Sequence, residues 1–337
     1  GKSAYEFLNQ TFHDPLLRNV LCGSSLKMEL DKETLPLYTF AQGNNSFIES
    51  SWRLKGDGSM LVESLVRDIR NMGGEVICNS GVEELIEKDG QLVAARTVNG
   101  ELYEADWFIS DTHPTVTVDL VKESTRIRKV YRRRIHSLSN TYGMYTVSLI
   151  IKPNTLKYFN WNQYIYKKPN VWTYYREDGP ISGILVCCRV PEDGSPYTRY
   201  VDIVTPMLWD EVAQWSNTTV GHRGDEYVAF KERKANECIT LAETFIPGLR
   251  HMIEGHFSST PLTYRDYTAT PEGSAYGVRK DWHSPMMTLL TPKTPIPNLL
   301  LTGQSLTIHG LLGVSMTSLF TCAEILGKET VYAITKT

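Results

Sequence analysis

The chain has 337 residues, 41% of them hydrophobic, a net charge of −3 and a pI near 6.3. That is ample for a packed core and long enough for two domains. It lacks the basic excess expected of a nucleic-acid binder, and the charge gives no general attraction to an anionic membrane. The six cysteines, Cys22, Cys78, Cys187, Cys188, Cys238 and Cys322, form no C-x-x-C pair, and most sit in apolar runs such as residues 184–188. This usage predicts free thiols in a reducing, cytoplasmic setting. No charged-then-apolar leader opens the chain, and no apolar run approaches the roughly 20 residues that span a bilayer. Asn217-Thr218-Thr219 matches a glycosylation acceptor, which carries little weight in that compartment.

Taken in chain order, residues 3–30 show helical apolar spacing through Ala4, Phe7, Leu8, Phe12, Leu16, Leu17, Val20 and Leu21, with Asp14-Pro15 restarting the helix midway. A polar stretch with aromatic residues follows to Trp52. Residues 56–59 make a turn, and Leu61, Leu65, Val66 and Ile69 give one apolar helical face closed by Gly73-Gly74. Residues 75–78 predict a short strand. Residues 82–87 and 91–99 predict two more around the turn Lys88-Asp89-Gly90, and residues 104–110 a further one after the turn at Asn99-Gly100.

The middle of the chain is rich in Tyr, Trp, Thr and Ile. Strands are expected over 141–151, 158–175, 184–190 and 200–206, and a long helix over 225–245 ahead of Pro247-Gly248. Such a middle suits a sheet that walls a substrate cavity. Residues 298–302 are almost continuously apolar, as in a strand covered on both faces. Gly303 ends that run. A loop with His309, Gly310 and Gly313 follows, then a buried helix is expected over 316–326, capped by Gly327 with Lys328 near its negative end.

Strand, glycine turn, glycine-bearing loop and helix can bind a phosphate or cofactor. Glycine lets backbone approach a bulky ligand, and a helix start presents free amides and the positive end of its dipole. The spacing alone favours an ordinary strand–turn–helix.

Residues 294–305, with 309–314 after them, resemble the C-terminal FAD signature of phytoene desaturase and retinol saturase-like enzymes, in which a "P-x-L-Y-L-x-G" strand precedes a "H-x-G-x-x-G-V"-like loop. Two further blocks agree. Residues 56–65, Gly74-Glu75-Val76, residues 82–86, Gly100-Glu101 and Ala105-Asp106 are similar to the family's second FAD-contacting block. Residues 260–264 through 273–277 are similar to its "T-P-x-T…G-s-x-y-G" approach to the flavin.

The resemblance implies an α/β (mixed α+β) fold: an incomplete FAD-binding domain over 51–122 and 260–337, and a substrate-binding domain over 1–50 and 123–259 with a mixed or antiparallel sheet. It implies FAD as cofactor, with Val82 at the adenine and Gly303, Gln304 and Ser305 along the pyrophosphate and ribityl chain. His309, Gly310, Leu312, Gly313 and Val314 would line the isoalloxazine. It implies hydride transfer between flavin and a carbon of an apolar, unsaturated small molecule, with desaturation and saturation both open. The family's opening G-x-G-x-x-G strand–turn–helix is expected to lie outside these residues, and Gly56-x-Gly58 is a poor substitute for it. Gln304 stands where an acidic residue often follows the strand glycine.

His309 is the leading catalytic candidate, weighed against a loop histidine bonded to backbone. The remaining histidines show no metal-ligand spacing, so no metal site is expected. Arg126, Arg128, Lys129, Arg132, Arg133 and Arg134 read as a solvated helix face or as a peripheral contact with a membrane surface. Two other readings stay open: an amine-oxidase-like flavoprotein, and a non-catalytic module that binds lipid or a partner without cofactor.

Overall fold

The computed structural model describes residues 1–336, which form a mixed α/β fold. Two short helices open it, Ala4–Thr11 and Pro15–Cys22. Each has a side-chain cap: Ser3 accepts from the Glu6 amide, and Asp14 from the amides of Leu16 and Leu17. The helix expected to reach residue 30 stops at Cys22. A third helix, Leu37–Glu49, occupies the stretch read as merely polar. These elements share a small core of Ala4, Leu8, Cys22, Met28, Leu30 and Leu35 with Val171 and Trp172.

Helix Ser59–Asn71 ends as its sequence predicts, at Gly73 with φ of 85°. Residues 75–78 are not a strand: they have no pairing partner and Ile77 is half exposed. Strand residues need a neighbour to satisfy their amides and carbonyls, and none lies beside this segment. An antiparallel meander follows, built of β1 (Val82–Lys88), β2 (Gln91–Thr97) and β3 (Leu102–Glu104). Asp89 and Gly90, both at positive φ, turn the first hairpin. The single strand expected over 104–110 is divided. Its start belongs to the meander, while β4 (Phe108–Ser110) leaves to pair elsewhere.

The middle is one antiparallel sheet of β5 (Gly143–Ile151), β6 (Gln163–Tyr166), β7 (Gly183–Cys188), β8 (Tyr200–Met207) and β9 (Ile253–Ser259), in the order β6-β7-β8-β5-β9. Alternation along the strands turns Tyr145, Val147, Leu149, Ile151, Ile184, Val186, Val201 and Ile203 to one face. Helix Asp225–Ala242 covers that face with Tyr227, Phe230, Cys238, Ile239 and Leu241. Of residues 158–175, expected to be one strand, only β6 pairs; a short 3-10 turn, Tyr174–Arg176, follows further on.

β10 (Leu299–Leu301) pairs in parallel with β4, Leu299 opposite Phe108, Leu300 opposite Ile109 and Leu301 opposite Ser110. All three leucines are buried, as expected of a strand covered on both faces. Helix Gly310–Leu326 corrects the expected buried helix. Its inner face is Gly313, Thr317 and Thr321, while Leu311 and Leu312 are 65% and 62% exposed and Met316 and Phe320 also face outward. Thr321 reaches the Leu301 carbonyl at 2.9 Å, so the helix packs on β10 through small and hydroxyl side chains.

Asn298 fastens this parallel pair to the meander. Its carboxamide oxygen accepts from the Leu92 amide at 2.9 Å, and its nitrogen donates to the Leu92 and Asp106 carbonyls at 2.8 and 2.9 Å. An Asn298→Ala substitution strands buried backbone groups and is expected to cost roughly 2–4 kcal/mol in urea unfolding.

Candidate functional site

Because β4 and β10 are parallel, both chains leave the sheet on the same side. β4 leads through Asp111 into helix Pro114–Leu120, and β10 through Gly303 into helix Gly310–Leu326. The carboxyl ends of parallel strands, with two helix starts above them, form the usual crevice for a ligand in α/β folds. Gly303 has φ of 92°, and a Cβ there would overlap the Asp111 carboxylate. Only glycine lets the two loops touch at this point.

Several groups around the carboxyl ends of these strands lack protein partners. Among the described residues, the amides of Gln304, Ser305, Thr307 and Ile308 donate to no protein acceptor. The first-turn amides of helix Gly310–Leu326 lie beyond the reach of its own carbonyls. The Thr302 hydroxyl is buried and unpaired. The Asp111 side chain is exposed, its carboxylate accepts no hydrogen bond from the protein, and partial desolvation raises its pKa. Free amides suit phosphate or a ring carbonyl, while an unpaired carboxylate suits sugar or ribityl hydroxyls. The donor set therefore fits a flavin dinucleotide.

His309 closes the loop by a different contact. Its Nε2 lies 2.8 Å from the Lys27 carbonyl, which can only accept, so Nε2 carries the proton. The ring stacks on Tyr276 with centroids 4.3 Å apart, and burial lowers its pKa. The same segment is held by the hydroxyls of Tyr276 on Leu26, Tyr142 on Met28 and Tyr175 on Leu30, at 2.5, 3.0 and 3.2 Å. These bonds hold residues 26–30 in the non-helical course that follows the helix end at Cys22. The nitrogen of His309 left for proton chemistry is Nδ1.

Gly303, Gln304, Ser305, His309 and Gly310 thus share one loop, with Leu312, Gly313 and Val314 in the first turns of the helix. Gly313 is buried on its inner face and Leu312 points out. Val82 stands apart at the start of β1, opposite Thr97. Asp111, Thr302 and Thr307 were not singled out from sequence. The signal for Asp111 was its place directly after an apolar run, but its neighbour Gly303 lies far along the chain.

His113 caps helix Pro114–Leu120. Its Nδ1 faces the Thr115 amide and hydroxyl at 3.3 and 2.8 Å, and its Nε2 faces Asn140 Oδ1 at 2.8 Å. An amide oxygen accepts, so the proton sits on Nε2 and Nδ1 is free to accept. Burial, opposed by the Asn140 bond, lowers the His113 pKa to about 4.

No protein-family model matches the chain. Over 145 residues, 42% of the chain, it is 30% identical to the all-trans-retinol 13,14-reductases of Macaca fascicularis and Homo sapiens, covering 24% of each. It is 21% identical over 308 residues to that of Danio rerio, covering 84% of this chain and 50% of the relative. The chain therefore spans between a quarter and half of the curated relatives it matches. An oxidoreductase from Methanosarcina mazei superposes with a TM-score of 0.63 at 15% identity, over 100% of this chain and 68% of the other. A putrescine oxidase redesigned in its cofactor binding gives 0.52 at 12% identity, over 99% and 67%. The structural likenesses show a shared fold. These sequence relatives are all-trans-retinol 13,14-reductases.

His113 gives a pH prediction. Its folded pKa lies below the unfolded value, so the unfolded chain binds the extra proton between about pH 6.5 and pH 4. Its contribution is full above about pH 6.5 and is lost as the pH falls toward 4, on the order of 3 kcal/mol in all. His113→Asn keeps a capping side chain without a titrating ring, and its denaturation midpoint is expected to fall less steeply over that window.

Proposed function

We infer that this chain is part of an FAD-dependent oxidoreductase of the retinol saturase-like family that its relatives support. Its proposed reaction adds or removes hydrogen at a carbon–carbon bond of a hydrophobic, retinoid- or isoprenoid-like molecule. The observation that carries this reading is the array of unfilled donors and acceptors at the carboxyl ends of β4 and β10. In this reading the amides of residues 304–308 and the start of helix Gly310–Leu326 hold the cofactor's anionic and carbonyl groups. Asp111 and Gln304 take its hydroxyls, and His309 fixes the end of the loop against residues 26–30. Bound flavin would supply the redox chemistry, moving a hydride to or from its N5 position. Among this chain's own groups, Nδ1 of His309 is the candidate for proton handling.

The second face of the five-stranded sheet is mixed, with Ser148 and Asp202 beside apolar groups. Strand alternation places Leu185, Val204, Thr146 and Cys187 on it, all half-buried. The carboxylate on this face, Asp202, is engaged by Arg189 at 3.0 Å and by Ser148 at 2.6 Å.

Further polypeptide is also part of the proposal. The edge of β4 away from β10 is unpaired, with Ile109 half exposed. Met60, Leu65 and Ile69 of helix Ser59–Asn71 and the outer leucines of helix Gly310–Leu326 are bare. A parallel strand and helix bearing a phosphate-binding turn would cover these surfaces. No helix among the described residues is long and apolar enough to cross a membrane. The exposed basic residues Arg126, Arg128 and Arg133 suit a peripheral membrane contact in the cytoplasm.

Equilibrium dialysis against FAD, read by flavin absorbance, tests the cofactor. Asp111→Ala is expected to weaken binding about tenfold, or ~1.4 kcal/mol. Anaerobic mixing tests the chemistry: an apolar polyene should reoxidise the reduced, bound flavin. Reduction of the oxidised flavin by an amine, with no response to polyenes, would overturn the assignment.

A further inference from the structure

Beneath the loop of residues 303–309 lies a lysine with no place in the chemistry above. Lys280 is 8% exposed. Its ammonium lies 2.9 Å from the Thr288 carbonyl, 2.7 Å from that of Ser305 and 3.0 Å from that of Leu306. Three donors meet three acceptors, and among the described residues no carboxylate pairs with it. Burial without a counter-ion lowers the Lys280 pKa to about 7, and an apolar side chain of similar length would fill the space without that cost.

Peptide geometry shows what the arrangement does. In a trans peptide the carbonyl of one residue and the amide of the next point in opposite directions. Holding the Leu306 carbonyl down on Lys280 therefore turns the Thr307 amide the other way, and that amide has no protein acceptor. The Leu290 amide holds the same carbonyl at 3.0 Å. Gly277 brings the lysine's segment close: a Cβ there would overlap the Ser305 hydroxyl. Donation from a cation also polarises each peptide and strengthens the N–H beyond it as a donor.

We propose that Lys280 is a positioning residue of the loop of residues 303–309, its side-chain nitrogen holding the Ser305 and Leu306 carbonyls inward so that the loop presents the free Thr307 amide to an anionic group in the crevice. The anionic group is taken to be the flavin dinucleotide, so this part rests on the functional reading above. The orientation of the loop does not.

Lys280→Met tests it, with Lys280→Gln, which keeps two donors without the charge, as a second variant. Hydrogen exchange of residues 303–309 in the FAD-free protein is expected to quicken at least tenfold in Lys280→Met and less in Lys280→Gln, with the melting temperature little changed. FAD binding should weaken in the same order, at least tenfold for Lys280→Met. Unchanged loop exchange in a folded Lys280→Met protein overturns the proposal. A fall in melting temperature with uniformly faster exchange also overturns it, because that marks a structural role alone. Should neither variant fold, the lysine side-chain nitrogen resonances of the unaltered protein decide. A slowly exchanging Lys280 signal that moves on FAD addition supports the proposal, and a signal indifferent to FAD overturns it. If the unaltered protein retains no FAD, the flavin reading fails, while loop exchange still judges the role of Lys280.

Discussion

The parallel pairing of β4 with β10 is the constraint on which the rest of the site depends. Three residues on each strand, separated by nearly two hundred positions, decide that Asp111 meets Gly303 and that two helices begin above the same edge. So short a ladder has little strength of its own. It is held by burial of Leu299, Leu300 and Leu301 and by Asn298, which bonds to β2 and to the segment entering β4. Antiparallel pairing would send the two loops to opposite ends and leave no crevice.

Around this pair the usual relation between apolarity and burial is inverted. Helix Gly310–Leu326 is the most apolar helix of the chain, yet it turns glycine and threonine inward and leucine outward. Small residues are what close packing on a strand requires, since a leucine at Gly313 or Thr317 would lift the helix away. The result is a close approach of Gly313 to the Ile308 carbonyl, together with an outer face on which Leu311, Leu312, Met316 and Phe320 are exposed.

The other architectural device is the set of phenols and the imidazole that hold residues 26–30. Tyr142 and Tyr276 lie in or beside the sheet domain, Tyr175 in the segment before β7, and His309 in the loop after β10. Four side chains from separate parts of the fold thus meet one extended segment. Glu29, within it, adds a buried pair with Arg279 at 2.8 and 2.9 Å. Burial raises the carboxyl pKa and the guanidinium opposes that rise.

Local chemistry in the sequence sufficed for several features. Asp14-Pro15 set a helix start, Gly73 a helix end and Asp89-Gly90 a hairpin, because each depends on backbone preferences a few residues wide. The continuous apolar run at 299–301 announced a buried strand, and the glycines after it announced a loop that a ligand could approach. Tertiary structure alone decided the rest. Residues 75–78 have strand composition but no neighbour, residues 104–110 divide between two sheets, and the helix after His309 faces opposite to its hydropathy. Asp111, Thr302 and Lys280 carry no motif. Their roles come from which carbonyls, amides and strands lie beside them, and those neighbours are distant in sequence. A pattern along one chain records what each segment prefers, but not which distant segment satisfies its hydrogen bonds.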